Sequence, residues 1–439
     1  MFWGGAIALG ATAVLFAEGA EAANRLFEKL LTASPYWPLL LSPAGLALVA
    51  WITRRYFPGS QGSGIPQTIA ALQITDHAAR GAVLSLRIGI GKVFLTLLAL
   101  LSGASVGREG PTVQVGASIM HSLSRLANFP RPELEKGLIL AGGAAGVAAA
   151  FNTPLAGVVF AIEEMSKSFE QRTNGIILTA VILAGMTSLA MSGNYSYFGH
   201  TSAELGFNEG WLAVLACGIA GGLLGGLFSR VLLETRSGLP GRWGAWLRQH
   251  PVTMAALCGL VLALIGLVSG HTTYGTGYTE AKALLSETDP MPASYGILKM
   301  LATVVSYLSG IPGGIFAPSL AIGAGFGSNM ADWMPYAPAG AVVILGMVAY
   351  FSGVVQAPIT AFVIVMEMTD NHNLLLPLMA AAILGSVSSR LVCRKPLYKA
   401  LAVGFLERQR VVTTMPDAAL VPPEQAGVHP GTGQHDARQ

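Results

Sequence analysis

The sequence predicts an all-α membrane protein that crosses the bilayer several times and is built from two related halves. Composition is the first observation: of 439 residues, 52% are hydrophobic and 11% are charged, and the mean hydropathy is +0.57. Soluble domains carry roughly 25% charged residues, more than twice this share. Long charge-free runs are the second observation, and an internal repeat is the third.

The charge-free runs are long enough to cross roughly 30 Å of hydrocarbon at about 1.5 Å per residue. They cover residues 34–53, 174–199, 211–229, 251–278, 300–330 and 333–366. The segment 2–17 is also apolar and lacks the basic start of a secretory signal. We therefore expect a spanning helix at the beginning of the chain rather than a cleaved peptide.

The internal repeat aligns AAAFNTPLAGVVFAIEEM in the first half with FSGVVQAPITAFVIVMEM in the second. It pairs Pro154 with Pro358 and Glu163 with Glu367, and both pairs are 204 residues apart. Each half therefore contains a helix that begins at a proline and ends at a glutamate. Broken apolar segments in corresponding positions of two halves indicate a transporter whose site lies at the repeat interface.

A second alignment, GREGPTVQVGASI with GIFAPSLAIGAGF, pairs Pro111 with Pro318 at 207 residues. The apolar run around Pro318 is interrupted by glycines, so we expect two half-helices that meet at a break. The expected organisation is a first half over 1–192, a second half over 193–406 and a disordered cytoplasmic tail over 407–439.

The stretch SGASVGREGPTVQVG places Arg108 and Glu109 between glycines and a proline, directly after an apolar run. A carboxylate is costly in hydrocarbon, so an ionisable residue there indicates a functional site. Pro111 fixes φ in the first turn of a helix whose free amides point back at the glycines. A broken helix with free N–H groups at membrane depth is typical of an anion site.

Three further stretches add hydrogen-bond donors. GSGIPQ offers amides and the hydroxyl of Ser63 ahead of Pro66, GGIFAP offers amides ahead of Pro318, and KPLY offers the phenol of Tyr398. No carboxylate cage for a cation accompanies them. A site made of partial positive charges selects anions, and without a full charge it can also release them.

Other function classes find little support in the sequence. The net charge of +3 indicates no nucleic-acid partner. The cysteines have neither metal-ligand nor disulfide spacing, and we expect no metal and no other cofactor. A membrane-embedded hydrolase would need a nucleophile with a base or metal-binding histidines, which are missing, so we expect no enzyme. A cation-coupled transporter of a larger solute would need a cavity with an acidic lining, which these donor-rich motifs do not supply.

Together the four motifs, in this order and with the repeat, resemble the CLC family of chloride channels and chloride/proton antiporters, prokaryotic type, over residues 2–406. The resemblance implies two inverted repeats of tilted, broken and re-entrant helices. It also implies a homodimer in the bacterial inner membrane, with one pore per subunit. The implied activity is exchange of chloride for protons, and a passive voltage- or pH-gated chloride channel on the same fold stays open.

The resemblance also implies roles for single residues. Ser63 and Tyr398 would bind the central chloride through their hydroxyls, and the amides of Ile315 and Phe316 would complete the cage. Glu109 matches the gating glutamate, which fills the outer anion site when ionised and leaves when protonated. The remaining chloride-binding positions that the motifs imply are Gly64, Ile65, Arg108, Gly110 and Ala317.

Glu164, in AIEEM, falls where antiporters of the family carry an internal proton-transfer glutamate and channels usually lack one. It could instead end a helix and reach toward water, as Glu163 and Glu367 are expected to do. Gln67 and the residues after it stand where relatives often have carboxylates, so proton entry is expected to differ and coupling to be looser.

Structural readings of the same residues also stay open at this stage. Glu109 could pair with Arg108, Ser63 could cap the helix that Pro66 opens, and Tyr398 could be an interfacial anchor. Lys92 and Lys299 could set the potential of the pore or pair with a carboxylate.

Overall fold

The computed structural model describes residues 2–126, 132–166, 171–193, 196–206, 210–236, 241–288 and 291–414. These residues form helices and isolated β-bridges, with no β-strand among them. The helices before residue 193 are α1 (Phe2–Ala33), α2 (Pro38–Tyr56), α3 (Ile65–Gln73), α4 (His77–Gly81), α5 (Leu86–Leu101), α6 (Glu109–Leu126), α7 (Pro132–Phe151), α8 (Pro154–Phe160), the π-helix Ala161–Met165 and α9 (Gln171–Ser192).

The helices after residue 193 repeat much of this order. They are α10 (Gly210–Arg236), α11 (Gly241–Gln249), α12 (Pro251–Val268), α13 (Tyr278–Ser286), α14 (Tyr295–Leu308), α15 (Phe316–Ala331), α16 (Ala339–Val355), α17 (Pro358–Thr369), α18 (Leu375–Val392) and α19 (Leu397–Thr414). The beginning of the predicted tail, residues 407–414, therefore belongs to a helix, and the rest of it lies outside the described residues.

Seven helical segments of the described residues are long and apolar enough to cross a membrane. They are Phe2–Ala33, Ala79–Leu101, Glu133–Phe151, Gly175–Ser192, Gly210–Thr235, Pro251–Val268 and Leu375–Val392. The prediction of a multi-pass all-α membrane protein is confirmed. The first helix is longer than the apolar segment 2–17, because Glu18 and Glu21 lie on an exposed face and do not end it.

The predicted break in the run 300–330 is confirmed, since α14 ends at Leu308 and α15 begins at Phe316. The run 333–366 is also broken, as expected from the helix that the repeat predicts to begin at Pro358. Its two helices, α16 and α17, are separated at Gln356, which adopts a left-handed conformation with φ 56°. Pro358 then begins α17, because proline suits a first helical turn that has free amides in any case.

Glu163 and Glu367 make reciprocal contacts between the two halves. Glu163 accepts hydrogen bonds of 3.2 and 2.6 Å from the backbone amides of Ile359 and Thr360, the second and third residues of α17. Glu367 accepts bonds of 3.2 and 2.7 Å from the second and third residues of α8. Each helix thus ends beside the beginning of the other, and the predicted repeat is an inverted one.

The expectation that Glu163 and Glu367 reach toward water is therefore wrong. A helix that starts inside an apolar protein leaves its first N–H groups without partners, and each costs free energy unless an acceptor satisfies it. A carboxylate is also the favoured charge at this end of the helix. The matched glutamates supply that acceptor in both halves.

This reciprocal capping predicts similar losses of stability in two distant variants. Glu163→Ala and Glu367→Ala are each expected to lower the free energy of unfolding by about 1–2 kcal/mol, the usual cost of losing a helix cap. Thermal unfolding in detergent measures the change. Glu234→Ala, which removes an exposed carboxylate paired with Arg230, is the control and is expected to have no measurable effect. Unequal losses in the two cap variants would contradict the equivalence of the two halves.

Lys92 and Lys299 extend the repeat, because they too are 207 residues apart and both are fully buried. The Lys92 ammonium donates to the carbonyls of Ser60 and Gly62. Lys299 donates to three consecutive carbonyls at 2.9–3.1 Å, those of Thr273, Tyr274 and Gly275. Each lysine therefore holds the loop ahead of a short helix, α3 or α13, a role that the sequence reading did not include.

Candidate functional site

Three glycine-rich loops meet at the ends of α3, α6 and α15. Gly62 donates from its amide to the Ile311 carbonyl at 3.0 Å, and its carbonyl accepts from Gly313 at 3.0 Å. Gly107 and Gly314 exchange two hydrogen bonds of 2.7 Å. These bonds bring the N-terminal ends of the three helices together. We call this place the loop junction, defined by residues 59–64, 102–108 and 309–315.

Close approach at the loop junction depends on Gly110, in the first turn of α6. A Cβ atom there would lie 2.3 Å from Ser63 Oγ and 2.9 Å from the Ser63 carbonyl oxygen. The absence of a side chain lets the first turn of α6 pack directly against the serine. As a result, the Ser63 hydroxyl lies beside helix ends that carry partial positive charge.

This contact yields a prediction about the chloride transport that the family resemblance implies. Gly110→Ala is expected to displace Ser63 and to lower chloride flux about tenfold or more, because the collision is with the serine itself and with its backbone. Gly89→Ala is the matched control, since a Cβ atom at Gly89 would first meet Ser118 Cβ at an ordinary 3.6 Å. Flux assays in liposomes compare the two variants. Equal flux in both would show that this contact is unimportant.

The hydroxyls of Ser63 and Tyr398 are buried neighbours at this junction. Ser63 is 2% exposed, Tyr398 is fully buried, and α19 carries the tyrosine against α3. Neither hydroxyl makes a hydrogen bond of ordinary geometry with the part of the chain that the structure describes. Buried polar groups normally have partners, so two such donors side by side fit a site that a ligand with acceptor character would complete.

Two of the structural readings are therefore wrong. The cap position of α3 is occupied by Gly64, and no side chain caps that helix, so Ser63 is not its cap. Tyr398 is fully buried, so it is not an interfacial anchor.

A cavity of about 440 Å³ opens onto one side of this site. Its lining includes Ser63, Arg54, Tyr307 and Gln67. The side-chain amide of Gln67 donates to the carbonyls of Gly59 at 3.2 Å and of Gln61 at 2.5 Å. The glutamine thus holds the loop ahead of α3, where a carboxylate would face the carbonyl oxygens with no proton to donate.

Glu109 begins α6, is 1% exposed and is not among the residues that line this cavity. Its Oε1 atom accepts a hydrogen bond of 3.3 Å from the hydroxyl of Tyr197. The backbone amide of Ala317, in the first turn of α15, and the guanidinium of Arg108 attract the same carboxylate. These donors therefore offset part of the cost of burying the carboxylate away from water.

Glu164 lies in the π-helix Ala161–Met165, which continues α8, and is 2% exposed. Its Oε2 atom is 3.8 Å from the Lys399 ammonium, and it also lies within electrostatic range of Tyr398. Because the carboxylate is buried, the reading in which Glu164 reaches toward water is wrong. A π-helical turn often marks a functional site. In this one, consecutive glutamates contact different helices: Glu163 contacts α17 and Glu164 contacts Lys399 of α19.

The predicted anion-site residues come together around the loop junction, and Glu164 lies within electrostatic range of Tyr398. The buried members are Ser63, Gly64, Ile65, Arg108, Glu109, Gly110, Ile315, Phe316, Ala317 and Tyr398. Sequence reasoning missed Tyr197, which lies in the non-helical connection between α9 and α10. No repeat, spacing or proline marks it there, so only the fold brings it to Glu109.

Comparisons with known proteins concern the family and the fold. A family model described as "Voltage gated chloride channel" matches residues 44–390. A slow cyanobacterial Cl⁻/H⁺ antiporter is similar in structure, with a TM-score of 0.78 and 27% identity over 93% of this chain and 99% of that chain.

Two more distant solved structures share the fold. A CLC-type fluoride/proton antiporter has a TM-score of 0.77 and 23% identity over 91% of this chain and 96% of that chain. A eukaryotic CLC transporter has a TM-score of 0.72 and 22% identity over 92% of this chain and 73% of that chain. At these identities the likeness concerns the fold alone.

Proposed function

Since this chain belongs to the voltage gated chloride channel family, the CLC family, we propose that it is a secondary active transporter that exchanges chloride for protons. The similarity to a cyanobacterial Cl⁻/H⁺ antiporter over nearly the full length of both chains supports antiport. The single observation that carries the proposal is a buried carboxylate, Glu109, near two neighbouring buried hydroxyls, those of Ser63 and Tyr398, which make no hydrogen bond of ordinary geometry to the rest of the described chain.

The anion site of this proposal lies between Ser63 and Tyr398. Their hydroxyls donate to chloride, and the amides of Ile315 and Phe316, at the beginning of α15, add two more donors. These groups carry only partial positive charge, so they replace the hydration of a halide without holding it too tightly to leave. The cavity that reaches Ser63 gives the ion its route from one side of the membrane.

Glu109 gates the other side of this site. Ionised, it occupies the position beside the amide of Ala317 and excludes chloride from it, because both are anions that compete for the same donors. Protonated, the side chain loses that attraction and leaves, and chloride enters. One proton therefore exchanges with chloride each time the carboxylate cycles, which couples the two fluxes.

Glu164 supplies protons from the other direction. It is buried next to Tyr398, and the Lys399 side chain, which is 31% exposed, connects it to the surface. A buried carboxylate with one partly exposed cationic partner can take up a proton at the surface and pass it inward. The proton then travels to Glu109 past the anion site.

We further propose a homodimer in the bacterial inner membrane, with one pore in each subunit. The supporting observation is an exposed apolar face on α9 and α18, two helices in corresponding positions of the repeat. Its side chains include Leu178, Ile182, Ile383 and Val387, which are 46–57% exposed. A second copy would cover this face. Purification as a monomer in mild detergent would contradict this part of the proposal.

A passive chloride channel is the alternative, and Gln67 favours it, because this residue holds carbonyls and carries no exchangeable charge. A coupled-flux assay separates the two activities. The purified protein is placed in liposomes with a chloride gradient, the voltage is clamped with valinomycin and potassium, and the external pH is recorded. Uphill proton movement is expected, and chloride flux with a flat pH trace would establish the channel.

A further inference from the structure

Tyr197 is a buried side chain whose hydroxyl contacts the Glu109 carboxylate, and none of the roles described above uses it. The hydroxyl lies 3.3 Å from Glu109 Oε1 and donates to it. Tyr197 is 4% exposed and Glu109 is 1% exposed, so water does not compete strongly for this bond. A neutral donor that contacts a buried carboxylate stabilises its ionised form.

The ring of Tyr197 is fixed by other aromatic rings. Edge-to-face contacts join it to Phe151 at 5.5 Å, to Phe198 at 5.0 Å and to Tyr278 at 4.9 Å between ring centroids. Phe151 also packs against Phe316 at 5.0 Å, in the first turn of α15. Such packing holds the hydroxyl in position, so that little entropy is lost when the hydrogen bond forms.

The backbone around Tyr197 is attached to the second half of the repeat. The amide of Phe198 donates to the carbonyl of Met368, near the end of α17, at 2.8 Å. Tyr197 follows α9 of the first half, so it lies in the connection between the two halves. A hydroxyl anchored in this way can hold Glu109 from outside the helix that carries it.

We propose that the Tyr197 hydroxyl is a latch that holds the ionised Glu109 carboxylate in the outer anion position and so sets the dependence of exchange on pH and chloride. This inference rests on the proposed gating role of Glu109. Tyr197 is a positioning residue, because it acts on the glutamate and not on chloride. The hydrogen bond from Tyr197 stabilises the Glu109 carboxylate in the outer anion position. A lower pH is therefore needed to protonate Glu109, and a higher chloride concentration is needed to displace it.

Several other groups act on the same carboxylate. Arg108 precedes it in sequence, Tyr398 faces it from α19, and the amide of Ala317 faces it from α15. Tyr278, on α13, packs against Tyr197 but is not among the groups that interact with Glu109. The variants of the test leave Arg108, Tyr398 and the amide unchanged, so a change in pH dependence reports the Tyr197 bond.

The test compares Tyr197→Phe with the matched control Tyr278→Phe in liposomes, because both variants keep an aromatic ring in the same cluster. Loss of the Tyr197 hydroxyl is expected to raise the pH of half-maximal chloride flux by about one unit. It is also expected to lower the KM for chloride about tenfold, the same change in free energy seen through competition. Tyr278→Phe is expected to keep both values.

A double variant makes the outcome specific. In a Glu109→Gln background, Tyr197→Phe is expected to change neither the pH profile nor the KM, because no ionised carboxylate remains to hold. If the single variant Glu109→Gln alters the pH dependence but the single variant Tyr197→Phe behaves as the wild type, the proposed role of Tyr197 is wrong. The gating role of Glu109 is then retained. If Glu109→Gln leaves the pH dependence unchanged, the gating role itself fails, and the latch fails with it.

Discussion

Glu109→Gln is expected to abolish proton transport while chloride flux continues. Glutamine keeps the size of the side chain but neither ionises nor carries a proton, so the competition between carboxylate and chloride ends. Chloride flux is also expected to lose its dependence on pH. Simultaneous recording with a chloride electrode and a pH electrode measures both fluxes in the same liposomes.

The control for this variant is Glu21→Gln, an exposed carboxylate on α1, which is expected to retain coupled transport. Proton transport that survived in Glu109→Gln would remove the glutamate from the coupling mechanism. A complete loss of chloride flux, with normal folding, would show that the carboxylate is needed to build the anion path rather than to gate it.

Glu164→Gln is also expected to stop proton transport, but for a different reason than Glu109→Gln. The variant removes proton delivery from the side of Lys399 but leaves Glu109 free to titrate. Chloride flux should therefore persist and keep its dependence on pH, which distinguishes this variant from Glu109→Gln. The loss of proton flux is expected to be complete. Among the described residues, Glu164 and Glu109 are the only carboxylates within electrostatic range of Tyr398, so no other one can replace Glu164.

Glu163→Gln is the matched control, since it changes the neighbouring carboxylate of the same π-helix. Its role in capping α17 affects stability, and proton transport is expected to continue. Proton transport in Glu164→Gln at the wild-type rate would exclude this residue from the proton route. Equal loss of proton transport in both variants would indicate a structural effect of the π-helix instead.

Much of the fold can be predicted from the sequence because prolines and glycines act locally. Pro111 and Pro318 each occupy the third position of a helix, α6 or α15, and the break ahead of α15 follows from its glycines. The family resemblance carried by the four motifs likewise implies that Ser63, Glu109 and Tyr398 belong to one site. Matched residues in two halves were enough to predict the repeat.

Contacts between the halves could not be predicted in this way. Glu163 and Glu367 look like helix-end carboxylates in the sequence, and only the antiparallel packing of α8 and α17 gives them the first amides of the other helix as partners. Lys92 and Lys299 donate to backbone carbonyls, and because every residue has a carbonyl, the sequence does not indicate which ones a lysine contacts. Tyr197 reaches Glu109 across 88 residues of chain, and nothing in its own segment indicates that partner.

The reversal voltage under a pH gradient tests the central claim most directly. The wild-type protein is placed in a bilayer with equal chloride on both sides and different pH, and the voltage of zero current is measured. Coupled exchange predicts a reversal voltage displaced from zero, because the proton gradient alone drives both ions. A reversal at zero would mean that only chloride carries the current, and it would contradict the proposed antiport.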